Sequence, residues 1–143
     1  MRFGPLAALT TAVALIPLAA NAKPSWRTVY NANGVKVAVD SASIEKNADG
    51  SKTVWTVWDY KVPRILENKK SYTRLIEKAQ LKCSPVVVKR VNTSLYDAYG
   101  KVVKAPEEIR ESEVGSMSWD RPLKSSDGAK VWPAVCGFLA KKK

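Results

Sequence analysis

The sequence predicts a mainly β fold of the α+β class, in which an antiparallel sheet of about six strands packs against one C-terminal helix. Val35, Val37 and Val39 recur every second residue, which is the period of a half-buried strand. Further β-rich runs separated by turn residues follow, whereas apolar residues at a helical spacing occur only near the end of the chain. Strands that precede a single helix favour this two-layer architecture.

Residues 1–22 are predicted to be a cleaved signal peptide. Arg2 precedes an apolar stretch at residues 6–20, and Ala20-Asn21-Ala22 places small residues at both positions that a cleavage site requires. The apolar stretch is shorter than the roughly 20 residues that span a bilayer, so no transmembrane anchor is expected. Residues 23–143 are then one exported domain, periplasmic or at the cell surface, and no Cys near the cleavage site could accept a lipid.

The composition excludes several kinds of active site. The 143 residues include no His and two Cys, which rules out imidazole catalysis, His-ligated metals and four-thiolate zinc sites. Ser43 and Lys46 match the S-x-x-K pattern of penicillin-interacting enzymes, but the S-D-N and K-T-G motifs do not follow. The acidic residues from Glu107 to Glu113 are interpreted as a solvated loop. We therefore predict no enzyme activity, no metal and no cofactor.

Cys83 and Cys136 are predicted to form a structural disulfide. An even number of Cys in an oxidising compartment indicates pairing, and two Cys allow one pairing only. The chain lacks both a Cys-x-x-Cys motif and a His that could activate a thiolate, which argues against a redox thiol. The bond would close a loop of about 53 residues and contribute roughly 4 kcal/mol in the chain-entropy model.

The first predicted strands cover residues 25–30, 35–39 and 53–62. Asn33-Gly34 is the strongest short hairpin signal and joins the first two. Pro63 is expected to end the third strand, because proline cannot donate to a ladder. Alternation in that strand places two sets of side chains on opposite faces, namely Val54, Thr56, Trp58 and Tyr60 on one and Trp55, Val57 and Asp59 on the other.

Residues 71–83 fit two patterns. As a strand they place Leu75, Ala79, Leu81 and Cys83 on one face. As a helix they form a less complete stripe of apolar side chains. The strand pattern is the cleaner one. Later segments are predicted as a strand at 86–96, a turn near Gly100, a strand at 102–103, a loop at 105–112 and a short strand at 114–119. The final helix runs from about residue 129 to 139, and Pro133 leaves its start open.

The formal net charge of +11 is unevenly distributed. Residues 61–104 carry 11 basic and three acidic side chains, whereas residues 105–127 carry three basic and six acidic ones. Arg74, Lys78 and Lys82 would form a row on one strand face at intervals of roughly 13–14 Å. The predicted binding residues for an anionic partner are Lys61, Arg64, Lys69, Lys70, Arg74, Lys78 and Lys82.

Several short motifs occur in an order that resembles the surface-adhesin protein E-like family of exported bacterial proteins. They are Trp26, Val37 to Asp40, Val54-Trp55, Asp59 to Lys61 with Pro63, Lys70 to Tyr72, Cys83, Tyr96, Tyr99-Gly100, Trp119 and Cys136. The resemblance covers nearly all of residues 23–143 and implies that residues 71–83 are a strand and that Cys83–Cys136 links the sheet to the last helix. It also implies adhesion to host matrix and plasma proteins, and is compatible with a homodimer.

Two functions follow as hypotheses. The first is an exported, non-enzymatic, adhesin-like domain that recognises a macromolecule or an anionic envelope or matrix component through a basic face. The second is a periplasmic envelope-associated or inhibitor module with no host-binding role. A solvated face that keeps the protein soluble is the simpler interpretation of the same charges. Nucleic acid is not expected as a physiological partner, because the protein is predicted to be exported.

Overall fold

The computed structural model describes residues 23–107 and 109–142, and it confirms the predicted fold class. The predicted signal peptide lies outside the described residues. The sheet has seven antiparallel strands. The elements are β1 (Trp26–Ala32), β2 (Val35–Asp40), β3 (Glu45–Lys46), β4 (Lys52–Ile65), β5 (Ser71–Cys83), β6 (Val86–Tyr96), β7 (Val102–Lys104), α1 (Glu111–Ser116) and α2 (Gly128–Lys141).

The strands are ordered β1-β2-β4-β5-β6-β7, and β3 pairs with the start of β4. The turn between β1 and β2 shows why neighbours in the chain are neighbours in the sheet. Asn33 and Gly34 both have positive φ, at 55° and 75°, as the two central residues of a type I′ turn require. This turn matches the twist of the two strands and therefore closes the predicted hairpin.

The hydrophobic core lies between α2 and one face of the sheet, which we call the inner face. The alternation predicted for the strands is confirmed, since Val37, Val39 and Val54 are fully buried there. Trp58 meets Trp132 of α2 edge to face, with ring centroids 5.8 Å apart. The α2 residues buried against the sheet are Val131, Trp132, Val135 and Leu139, which recur at the helical period.

Three contacts tie α2 and its flanking residues to β4, β5 and the segment after β2. The predicted Cys83–Cys136 disulfide is present and links α2 to the end of β5. Arg64 Nη2 of β4 donates a hydrogen bond of 2.8 Å to Oδ2 of Asp127, just before the helix. At the other end of α2, Lys142 Nζ donates to the carbonyl oxygen of Ser41 at 2.9 Å. The helix therefore has a fixed position across the inner face.

The prediction that Pro63 ends its strand is wrong, because β4 continues to Ile65. Asp59 pairs with Arg74 and the next pair is Arg64 with Tyr72. The four residues 60–63 thus lie opposite one residue of β5, and we call residues 60–63 the β4 bulge. Pro63 is tolerated because a bulge leaves its extra residues outside the ladder, where no N–H donor is needed.

The prediction of a short strand at residues 114–119 is also wrong. Residues 111–116 form α1, and pairing with the sheet is limited to a bridge between Asp120 and Val88. The loop predicted at residues 105–112 accordingly gives way to this helix at Glu111. Val114 is the buried residue of α1, so the segment is anchored by one apolar side chain rather than by a strand ladder.

Candidate binding surface

Arg74, Lys78 and Lys82 lie on the face of β5 that points away from α2, which we call the outer face. The residues between them alternate toward the core, and Leu75, Ala79 and Leu81 are buried. The same alternation also places Glu77 on this buried face, where a charged side chain was not expected. The row of three cations therefore has the one-sided arrangement expected from the strand period.

Each cation of this row has a partner. Arg74 donates from Nε to Oδ1 of Asp59 at 2.6 Å and from Nη2 to Oδ2 at 3.2 Å. This hydrogen bonding raises the pKa of Arg74, although the pair is too exposed to contribute much stability. Lys78 Nζ lies 6.0 Å from the ring centroid of Trp55. The outer face thus combines cations with an aromatic ring and an acid, rather than presenting bare positive charge.

Lys82 occupies the far end of the row. Its Nζ lies 4.6 Å from the ring centroid of Trp119 and 3.9 Å from Oδ2 of Asp49. Asp49 therefore offsets part of the charge that Lys82 presents to solvent. Because both groups are partly exposed, the ion pair is weak and could exchange for an external anion.

Arg64 is separated from the row by its contact with α2. Its guanidinium lies 4.8 Å from the ring centroid of Tyr60 and donates a hydrogen bond to Asp127. The Arg64 side chain is therefore directed toward the helix side of the sheet. Burial raises the pKa of the Tyr60 hydroxyl, which is neutral at physiological pH. Arg64 is thus engaged in holding α2, and the structure does not bring it together with Arg74.

Lys61, Lys69 and Lys70 form a second group of cations. Lys61 lies in the β4 bulge, and Lys69 and Lys70 lie in the turn between β4 and β5. All three are exposed, and within residues 23–107 and 109–142 none of them forms an ion pair. These lysines therefore present their full charge to solvent.

A cleft of about 520 Å³ adjoins the row at Arg74 and is also lined by Asp59, Ile76, Tyr96 and Asp97. Its hydrogen-bonding groups suit a polar ligand. Among the described residues, no group of three or more Cys, Asp or Glu side chains is placed to hold a metal ion.

Lys89 is a buried cation that the sequence pattern did not reveal. Its Nζ donates to the carbonyl oxygen of Val114 at 3.2 Å and lies 4.6 Å from the centroid of Trp119. By strand alternation Lys89 faces outward, but α1 and Trp119 cover it there. The covering segment follows Lys89 by 25 residues in the chain, so no local pattern around Lys89 could have predicted its burial.

These features define the class of the protein, a small antiparallel-sheet domain with one disulfide and a basic surface. The family model of surface-adhesin protein E matches residues 26–137, and the chain belongs to that family. Membership indicates an adhesin-like surface protein and suggests a non-enzymatic one. No curated protein and no solved structure matches the chain. In the part of the chain that the structure describes, no helix is long and apolar enough to cross a membrane.

Proposed function

We propose that this protein is an exported, non-enzymatic, adhesin-like domain that binds a polyanionic matrix or envelope component through its basic side chains. Family membership supports the adhesin-like part of the proposal. The anionic partner is inferred from the charge distribution, since 11 of the basic residues fall within residues 61–104.

The observation that carries the proposal is the group of Lys61, Lys69 and Lys70. Their amines are exposed and unpaired within the described residues, whereas Arg64, Arg74 and Lys82 each contact a carboxylate. A polyanion gains most from cations that need not first give up an internal partner. We therefore assign the leading role to the three lysines and a supporting role to Arg74, Lys78 and Lys82.

The test is retention on immobilised heparin, used as a model polyanion, across a salt gradient. The variant Lys69→Glu/Lys70→Glu is compared with Lys46→Glu/Lys141→Glu, which has the same net charge but alters exposed lysines elsewhere. We expect the first variant to bind about tenfold more weakly at low salt, or about 1.4 kcal/mol, and the second to bind nearly as the wild type does. Equal losses in both variants would show that net charge alone governs retention. A wild type that heparin does not retain would refute the proposal.

A further inference from the structure

Three turns meet at one end of the sheet. Register places them there, since Val35 pairs with Tyr60, and Arg74 pairs with both Asp59 and Tyr96. The β1–β2 turn, the β4–β5 turn and the β6–β7 turn therefore lie at the same end. Together with the β4 bulge and Val102 we call this region the turn end, which comprises residues 33–34, 60–70 and 97–102.

The turn end holds most of the large hydrophobic side chains that the described chain exposes. Val62 is 74% exposed, Ile65 75% and Tyr99 96%, and Val102 is also exposed. Trp26 and Leu123 are the other two of this kind among the described residues, and they lie outside the turn end. Single exposed apolar residues are normal on a protein surface, but four at the same end of one sheet form a concentration that calls for an explanation.

The turn end also carries four exposed lysines. Lys61, Lys69, Lys70 and Lys101 are all exposed, and within the described residues no carboxylate pairs with any of them. The two acidic residues of the turn end are Glu67, which is exposed, and Asp97, whose carboxylate accepts hydrogen bonds from the backbone N–H groups of Tyr99 and Lys101. The four lysines outnumber them. The turn end is therefore both cationic and apolar.

The backbone of the turns is largely satisfied internally. In the β4–β5 turn the N–H of Leu66 donates to the carbonyl of Lys70, and the N–H of Lys69 donates to that of Leu66. In the β6–β7 turn the N–H of Asp97 donates to the carbonyl of Lys101. Internal hydrogen bonds reduce the cost of moving these turns from water into a less polar medium.

We propose that the turn end docks on an anionic lipid bilayer. Val62, Ile65 and Tyr99 enter the headgroup region, and the four lysines contact lipid phosphates. A soluble polyanion needs the cations alone and leaves the aliphatic side chains in water, whereas a bilayer surface accepts both, so the combination favours lipid. The inference shares its lysines with the proposed function and adds an apolar contact that polyanion binding does not require.

The test is co-sedimentation with vesicles of phosphatidylglycerol and phosphatidylcholine, and with phosphatidylcholine vesicles alone. The apolar variant is Val62→Ser/Ile65→Ser/Tyr99→Ser, and Leu123→Ser is the control for an exposed aliphatic residue elsewhere. We expect the wild type to bind the anionic vesicles only. We expect about tenfold weaker binding for the apolar variant and no change for the control.

Retention on heparin separates this inference from the proposed function. Heparin should retain the apolar variant as it retains the wild type. That result would also show that the three substitutions leave the lysines of the turn end able to bind. A wild type that binds heparin but not anionic vesicles would overturn the lipid inference alone, as would an apolar variant with undiminished vesicle binding. Binding to anionic vesicles without any retention on heparin would overturn the proposed function and leave the lipid inference standing.

Discussion

Nε of Arg90 lies 3.4 Å from Oε2 of Glu77, in an ion pair whose two side chains differ sharply in exposure. The side chain of Glu77 is 1% exposed and that of Arg90 is 60% exposed. Within the described residues, neither carboxylate oxygen of Glu77 accepts a hydrogen bond. Burial raises the pKa of Glu77, while the charge of Arg90 opposes that rise.

The first prediction concerns the pH dependence of stability. Because the pKa of Glu77 is higher in the folded than in the unfolded chain, the stability that Glu77 contributes is fully present below its ordinary pKa of 4.5. This contribution is lost as the pH rises through the folded pKa. Glu77→Gln removes the buried charge with little change in volume. We expect this variant to be about 1–2 kcal/mol more stable than the wild type at pH 7. Urea unfolding at pH 7 and pH 4 measures the difference, which should shrink at pH 4.

Glu111→Gln is the matched control, because Glu111 is exposed in the first turn of α1. It should leave the free energy of unfolding within about 0.5 kcal/mol of the wild type at both pH values. A Glu77→Gln variant that is less stable than the wild type at pH 7 would contradict the prediction.

The second prediction concerns the disulfide. Cys83→Ala/Cys136→Ala should lower the free energy of unfolding by roughly 4 kcal/mol, because the bond closes a loop between residues 53 apart in the chain. Urea unfolding measures the loss, and wild-type protein kept in reductant should unfold at a similar midpoint. Intact mass after alkylation provides an independent check. Two alkylated thiols in protein that was never reduced would contradict the assignment.

The third prediction concerns the anchoring of α1. Lys89→Ala removes the hydrogen bond to the Val114 carbonyl and the cation beside Trp119, and a bond from a charged donor is worth about 1.5–3 kcal/mol. Amide hydrogens of residues 111–117 should then exchange faster, while those of β4 and β5 keep their protection. Lys104→Ala, at an exposed position in β7, is the control and should change neither region. Unaltered exchange in residues 111–117 would show that Lys89 does not hold this segment.

Local signals predicted most of the sheet. Asn33-Gly34 and the alternation of Val35, Val37 and Val39 act through turn geometry and the strand period, which neighbouring residues determine. The apolar spacing of α2 was predictable for the same kind of reason, whereas the pairing of Cys83 with Cys136 was predictable because two Cys allow one pairing only. The start of α2 at Gly128 differs by one residue from the prediction.

Tertiary contacts decided what the sequence could not predict. Pro63 is accommodated by a bulge that depends on how β4 pairs with β5, and α1 replaces a predicted strand where Val114 and Lys89 meet. The sequence also could not predict how the basic residues are grouped in the folded protein. Charge and strand period placed Arg74, Lys78 and Lys82 correctly, but only the position of Asp127 explains why Arg64 is directed away from them. Strand alternation places Glu77 on the inner face between Leu75 and Ala79, but a charged residue gives no local sign that it is buried there.

The disulfide between β5 and α2 also determines how the domain would respond to mechanical tension. If the chain is pulled from its two termini, residues 84–135 lie inside the closed loop and cannot extend while the bond is intact. At about 3.3–3.6 Å per residue, this withholds on the order of 180 Å of contour length from stretching. The load instead passes directly from β5 to the last turns of α2, so β6, β7 and α1 are shielded from force and β1 to β5 bear it.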